Sequence, residues 1–251
     1  MPFPPPLATP CHAMLPCAGA GLRASSGVGL GVPKQYQCIA GEPLVRHTLR
    51  AFQAVPRIGR ILLVLAPQDD HPWPAPLPPR VELARVGGAT RAESVLNGLC
   101  YLLTHGAQPQ DWALVHDAAR CLITPALIDA LIDACLPDSV GGLLALPCPD
   151  TLKTEGENQS GQLTGRAAAT LPRGGKWLAQ TPQMFRLGAL RNALQRQAAH
   201  GFVGITDEAS AMERADCQPL LVRGSAQNFK VTWPEDLALA EAVLQSRRAS
   251  S

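Results

Sequence analysis

Aromatic residues are scarce in this 251-residue chain, at 4%. Too few rings are present to build the stacking platforms that hold single-stranded nucleic acid. Net charge is small as well, +2 at pH 7, so no basic stripe is available to replace counterions on a phosphate backbone. No nucleic-acid partner is expected. No apolar run approaches the roughly 18 residues of a membrane span, and no membrane partner is expected either. Eight cysteines are present, at Cys11, Cys17, Cys38, Cys100, Cys121, Cys135, Cys148 and Cys217. None forms the C-x-x-C pair that zinc and redox motifs use. Cys100 and Cys135 sit in apolar runs, where Cys acts as a small hydrophobe. A reduced, cytoplasmic protein is expected. Residues 1–11 are rich in proline and lack the basic and apolar regions of a signal peptide. They are expected to be a frayed tail.

What is present is an alternation of strand and helix patterns over a single domain, residues 12–247. Apolar strand candidates run over Ala13–Cys17, Arg60–Ala66, Val81–Arg85, Trp112–His116 and Val140–Leu146. Helical patterns run over Pro43–Val55, Arg91–Thr104 and Pro125–Leu136. The second has a capping box, Thr90 with Glu93, and the third opens with Thr124 and Pro125. The alternation predicts an α/β fold, a mostly parallel sheet with helices on both faces. Ligands then sit beyond the carboxyl ends of the strands. Asp150–Gly175 is polar and has no helical period, which marks an insertion or an arm, about residues 148–176. Helices resume at Leu187–Ala199 and Asp207–Arg214. Asn228–Val231 reads as a short strand, and Thr232–Gln245 as a closing helix with a Thr232–Glu235 capping box. Pro67–Pro79 reads as a surface spacer.

Chemistry concentrates in Leu15-Pro16-Cys17-Ala18-Gly19-Ala20-Gly21-Leu22-Arg23, followed by Pro33-Lys34-Gln35-Tyr36. Small residues in a turn let backbone amides form a nest for phosphate oxygens. Arg23 and Lys34 add positive charge. Gly19-x-Gly21-x-x-Ala24 also matches a dinucleotide fingerprint, but that motif needs a helix at once. Ser25 to Pro33 is too rich in glycine to supply one, so a nicotinamide-binding oxidoreductase is the weaker alternative.

Asp117 follows a strand and suits either a helix N-cap or a carboxylate that helps hold Mg²⁺, which takes one or two carboxylates plus substrate phosphates. Arg120 suits either a pair with Asp117 or a bidentate grip on a second phosphate. Gly87-Gly88-Ala89-Thr90 is a turn and cap whose amides, with the Ser94 hydroxyl, are also placed to read a base edge. No Ser/His/Asp or Cys/His constellation is evident.

In order, the motifs are Pro16-Cys17-Ala18-Gly19-x-Gly21-x-Arg23, Pro33-Lys34-Gln35-Tyr36, Gly87-Gly88 to Arg91-x-x-Ser94-Val95 and Val115-His116-Asp117-Ala118-Ala119-Arg120. Asp150-Thr151-x-Lys153, Thr181-Pro182-Gln183-x-Phe185, Thr206-Asp207-Glu208-Ala209-Ser210-Ala211 and Asn228-x-Lys230-Val231-Thr232 follow. Together they resemble the 2-C-methyl-D-erythritol 4-phosphate cytidylyltransferases. The resemblance implies a Rossmann-like nucleotidyltransferase fold and a homodimer joined through the arm. It implies Mg²⁺, CTP and 2-C-methyl-D-erythritol 4-phosphate as cofactor and substrates, with a CDP-alcohol and pyrophosphate as products. Arg23, Lys34 and Lys230 would be the catalytic cations. Pro16, Ala18, Gly19, Gly88, Ala89, Ser94, Asp117 and Ala118 would bind the nucleotide, and Asp117 the metal. Arg120, Thr151, Arg173, Thr181 and Lys230 would hold the acceptor, with Arg173 lent by the partner subunit. Another polyol phosphate, such as ribitol 5-phosphate, is the nearest alternative acceptor. Three departures stand out: a long glycine-rich stretch from Ala24 to Val32, Ala89 where an acid is common, and Cys121 where a proline usually follows the arginine.

Overall fold

The computed structural model describes residues 9–19, 32–156 and 165–249. A seven-stranded sheet forms its centre, in the order β11-β7-β10-β6-β1-β4-β5. The strands are β1 (Cys11–Pro16), β4 (Ile58–Val64), β5 (Val81–Ala84), β6 (Trp112–Val115), β7 (Gly141–Pro147), β10 (Trp177–Arg186) and β11 (Leu220–Arg223). Only β10 runs against its neighbours β6 and β7; the other pairings are parallel. The expected mostly parallel sheet is therefore present. β1 begins at Cys11, inside the stretch read as tail.

The central strands are apolar on both sides because both are covered. Along β1, Cys11, Ala13 and Leu15 join one core and Met14 the other. The first core takes α1 (Leu44–Gln53) and α3 (Pro125–Cys135) through Val45, Leu49, Phe52, Ile128 and Ile132. The second takes α2 (Arg91–Thr104), α4 (Leu187–Ala198) and α5 (Glu208–Glu213) through Val95, Leu99, Leu190 and Met212. α6 (Pro234–Ala249) closes a smaller cluster in which Cys121, Leu122 and Val231 are buried. The proline-to-Cys121 departure thus fills an apolar site.

Four local features add to or correct the expectations. Within Asp150–Gly175, β8 (Leu152–Glu155) and β9 (Ala167–Leu171) pair as an antiparallel ribbon. The ribbon extends the β7–β10 pair, with Cys148 N–H donating to Lys176 O at 2.9 Å. β9 is exposed along its whole length, so no burial period marks it in the sequence. β10 escapes notice because Pro182 interrupts it where the β7 register shifts. Asn228–Val231 forms no ladder; its one sheet-like bond is Val231 N–H to Ala119 O, at 2.9 Å. α6 is capped by Asp236, whose Oδ2 accepts from Thr232 and Trp233 N–H at 2.7 and 2.8 Å. Two further short strands, β2 (Cys38–Ile39) and β3 (Glu42–Pro43), make a hairpin before α1.

Candidate active site

β1 lies between β4 and β6. The chain leaves β1 toward β4 and β5, then returns to β6 on the other side. This reversal opens a crevice at the carboxyl ends of the strands, where α/β sheets bind ligands. A cavity of about 420 Å³ occupies it. Pro16, Ala18 and Gly19 line it from the end of β1, and Gly88, Ala89 and Ser94 from the turn into α2. Asp117 and Ala118 line it from the end of β6, and Lys34 and Lys230 from two loops far apart in sequence. Arg23 and most of the Ala24–Val32 stretch lie outside the described residues.

The β1 loop and the α2 turn touch directly. A Cβ on Gly87 would fall 2.3 Å from the Ala18 Cβ, so only glycine permits this approach. The turn itself uses its donors internally. Gly88 N–H donates to Ser94 Oγ at 3.0 Å, and Ala89 N–H to Glu93 Oε2 at 2.7 Å. Ser94 is 2% exposed, and its hydroxyl donates to Thr90 O at 2.9 Å. These bonds shape the turn that lines the cavity. Glu93 departs from the expected box, since Thr90 Oγ1 accepts from Glu93 N–H at 3.0 Å but the Glu93 carboxylate serves Ala89.

Lys34 starts a single 3-10 turn, Lys34–Tyr36. Gln35 secures that turn to the β1 loop, donating to Cys17 O at 2.7 Å. Tyr36 donates to Asp69 Oδ2 at 2.7 Å and stacks on His71 with centroids 3.7 Å apart. The proline-rich segment is therefore a buttress rather than a spacer. The ammonium of Lys34 donates to Val231 O, which brings it beside Lys230.

Among the described residues, Asp117 is the only carboxylate lining this cavity. Its Oδ1 accepts from Arg91 Nε at 2.9 Å, and its Oδ2 pairs with Lys230 Nζ at 2.8 Å. Burial alone would raise its pKa, but Arg91 and Lys230, with Arg120 further off, hold the carboxyl well below the usual range. Arg91 is also gripped by Glu208, which accepts from Nη1 and Nη2 at 2.7 and 3.1 Å. Burial works against the charge of Arg91, yet the two carboxylates outweigh it. Arg91 and Glu208 stand in quoted motifs, but no spacing discloses that residues so distant in sequence pair.

The backbone of Asp117 is held from behind. Thr181 Oγ1 accepts from Asp117 N–H at 3.0 Å and lies 3.0 Å from His116 Nδ1. The Thr181 proton then goes to Nδ1, so His116 donates from Nε2 to Arg120 O, at 3.1 Å. Burial keeps His116 neutral, with its pKa pushed down to about 4. Thr181 is 4% exposed: it positions the Asp117 loop and does not line the cavity. Arg120 makes no ion pair with Asp117. It donates to Asn228 O at 2.7 Å and Ala179 O at 3.2 Å, while its Nε is buried without a partner. Thr151 and Arg173 are exposed on the arm, outside the cavity.

No group of three or more His, Cys, Asp or Glu is placed to hold a metal among the described residues. Mg²⁺ needs no such cage when substrate phosphates supply oxygens. Each Asp117 oxygen meets one cation and keeps further acceptor capacity, so the site fits a shared metal and does not fit a protein-only one.

Residues 11–246 match the family model described as IspD, 2-C-methyl-D-erythritol 4-phosphate cytidylyltransferase. A 2-C-methyl-D-erythritol 4-phosphate cytidylyltransferase of Laribacter hongkongensis is 54% identical over 93% of this chain and 96% of its own length. A bifunctional IspD/IspF enzyme of Albidiferax ferrireducens is 59% identical over 94% of this chain, which spans only 53% of that protein. A crystal structure of 4-diphosphocytidyl-2C-methyl-D-erythritol synthase superposes with a TM-score of 0.77 at 35% identity, covering 95% of this chain and all of that one. Those likenesses remove the oxidoreductase alternative and assign the sheet to the nucleotidyltransferase fold. The chain belongs to the 2-C-methyl-D-erythritol 4-phosphate cytidylyltransferase family.

Proposed function

We infer that this cavity carries out the family's reaction: transfer of the cytidylyl group from CTP to 2-C-methyl-D-erythritol 4-phosphate, with release of pyrophosphate, in non-mevalonate isoprenoid biosynthesis. The observation that carries the reading is the convergence of Lys34, Lys230 and Asp117 on one cavity beside the Ala18–Gly19 turn. A phosphate oxygen of the acceptor attacks the α-phosphorus in line, and the bond to pyrophosphate breaks. No protein nucleophile is required, and the Ser94 hydroxyl is already spent on the turn. The chain's contribution is positioning and neutralisation of charge on the crowded phosphorus. Lys34 and Lys230 supply that charge, together with Arg23. Gly88 and Ala89 line the cavity, and their backbone would meet the cytosine. Asp117 would hold Mg²⁺, which when bound neutralises the triphosphate.

The acceptor falls to Arg120 and to Thr151 and Arg173 of the arm. Arg173 lies in the turn between β9 and β10, donates to Pro149 O and does not line the cavity of its own chain, which supports a homodimer that exchanges arms. Exposed Leu171, Trp177 and Leu178 give such an arm an apolar face. Eight free cysteines and the lack of any helix long and apolar enough to cross a membrane, among the described residues, support a cytoplasmic enzyme. A panel of acceptors with CTP tests the choice of substrate. Turnover is expected with 2-C-methyl-D-erythritol 4-phosphate, and a preference for ribitol 5-phosphate would overturn it.

A further inference from the structure

Glu208 does not line the nucleotide cavity, yet it ends a row of charges that runs into it. It is 1% exposed. Its carboxylate occupies both terminal nitrogens of Arg91, whose remaining nitrogen Nε meets Asp117 Oδ1 at 2.9 Å. Asp117 Oδ2 then faces Lys230 at 2.8 Å. The signs alternate along the row. A guanidinium favours a carboxylate through two parallel N–H bonds, and here that fork is already filled. Asp117 receives one bond only, which leaves its second oxygen turned to Lys230. The anchor is itself fixed: Asp207 caps α5 through Ser210 N–H at 2.9 Å and accepts from Gln183 Nε2 at 2.8 Å, while Ala209 N–H donates to Gln183 Oε1 at 2.7 Å. Gln183 belongs to β10, so the base of the row is bolted to the sheet.

We propose that Glu208 is a positioning residue for nucleotidyl transfer: acting through Arg91, it keeps one oxygen of Asp117 directed at Lys230 and the nucleotide phosphates. With Glu208 neutral, the freed fork of Arg91 closes on both oxygens of Asp117. The carboxylate is then withdrawn from Lys230 and from any ion on the triphosphate. The inference rests on the reading of the cavity as the CTP site.

The test compares the wild-type chain with Glu208→Gln, Arg91→Gln and the double variant. Turnover at varied Mg²⁺ is measured beside calorimetric binding of CTP with and without Mg²⁺. Glu208→Gln is expected to lower kcat about 10- to 100-fold, the range for residues that orient a ligating group. It is expected to raise the Mg²⁺ needed for half-maximal rate and to weaken CTP binding mainly when Mg²⁺ is present. Because Glu208 acts through Arg91, the double variant is expected to be no worse than Arg91→Gln alone. Wild-type kcat and Mg²⁺ requirement in Glu208→Gln would overturn the proposal, as would losses that add in the double variant. If Glu208→Gln does not fold, Glu208→Asp serves, keeping the charge and drawing it back by one methylene. The same rise in Mg²⁺ requirement, smaller in size, is then expected, and an unchanged requirement overturns the idea. The wild-type rate reports separately on the cavity reading, so the two failures are told apart.

Discussion

Lys230 Nζ meets Asp117 Oδ2 at 2.8 Å, although one residue follows β6 and the other precedes α6. This contact joins the carboxylate that lines the cavity to the loop that also receives the Lys34 ammonium at Val231 O. Three groups of the candidate site are therefore coupled through one short segment, Lys230–Val231.

Asp117→Asn removes the charge that both Arg91 and Lys230 face. Breaking a buried pair from one side leaves an uncompensated cation, which costs about 3–5 kcal/mol. Arg91 keeps Glu208 as a partner, so a lower value is expected here, about 1–3 kcal/mol. Chemical denaturation checks this. Turnover of the folded variant is expected to fall at least tenfold, as for loss of a phosphate-clamping group.

Acid stability follows from His116. Its folded pKa, about 4, lies below its usual value of about 6.5. Between these values the unfolded chain binds a proton that the folded chain does not. The contribution of His116 is full above about pH 6.5 and is lost as pH falls toward 4. Asp117 behaves differently: its contribution is full above the usual carboxylate value of 3.8 and erodes only as pH falls below that. Urea unfolding from pH 4 to 7.5 is expected to show a shallower pH slope in His116→Asn than in the wild-type chain. Equal slopes would contradict the assignment.

Exchange of arms predicts complementation. A chain with Arg173→Ala and a second with Lys34→Ala are each expected to lose most activity. Mixed and allowed to re-form dimers, they are expected to recover part of it, since one of the two sites then has both residues. Sedimentation is expected to show a dimer of the 26.6 kDa chain. A monomer, or no recovery on mixing, would contradict this reading.

Gly87→Ala places a methyl 2.3 Å from the Ala18 Cβ and 2.7 Å from Leu65 O. Overpacking of this kind costs about 1–3 kcal/mol, and the shift falls on the turn that lines the cavity. A lower Tm and a raised KM for CTP are the expected result.

Much of the fold is legible in the sequence where burial is two-sided. Arg60–Ala66 and Trp112–His116 are continuous apolar runs because helices cover both faces of the sheet there. The signal fails where burial is partial: β9 is wholly exposed, and β11 alternates half-buried with exposed residues. The site divides in the same way. Pro16 to Gly19, Lys34 and Asp117 stand out because phosphate chemistry restricts their types. Glu208 and Gln35 do not, because their roles lie in hydrogen bonds to residues distant in sequence. Composition and spacing carry no record of such pairs.

The central claim is that Lys34 and Lys230 converge to neutralise a triphosphate under attack by a second phosphate. Pyrophosphate release tests it most directly, measured with CTP alone, with the methylerythritol phosphate alone, and with both, in the wild-type chain and in Lys34→Ala. Release is expected only with both substrates and Mg²⁺, and Lys34→Ala is expected to lower its rate about 100- to 1,000-fold. Release with CTP alone, or full activity in Lys34→Ala, would contradict the account.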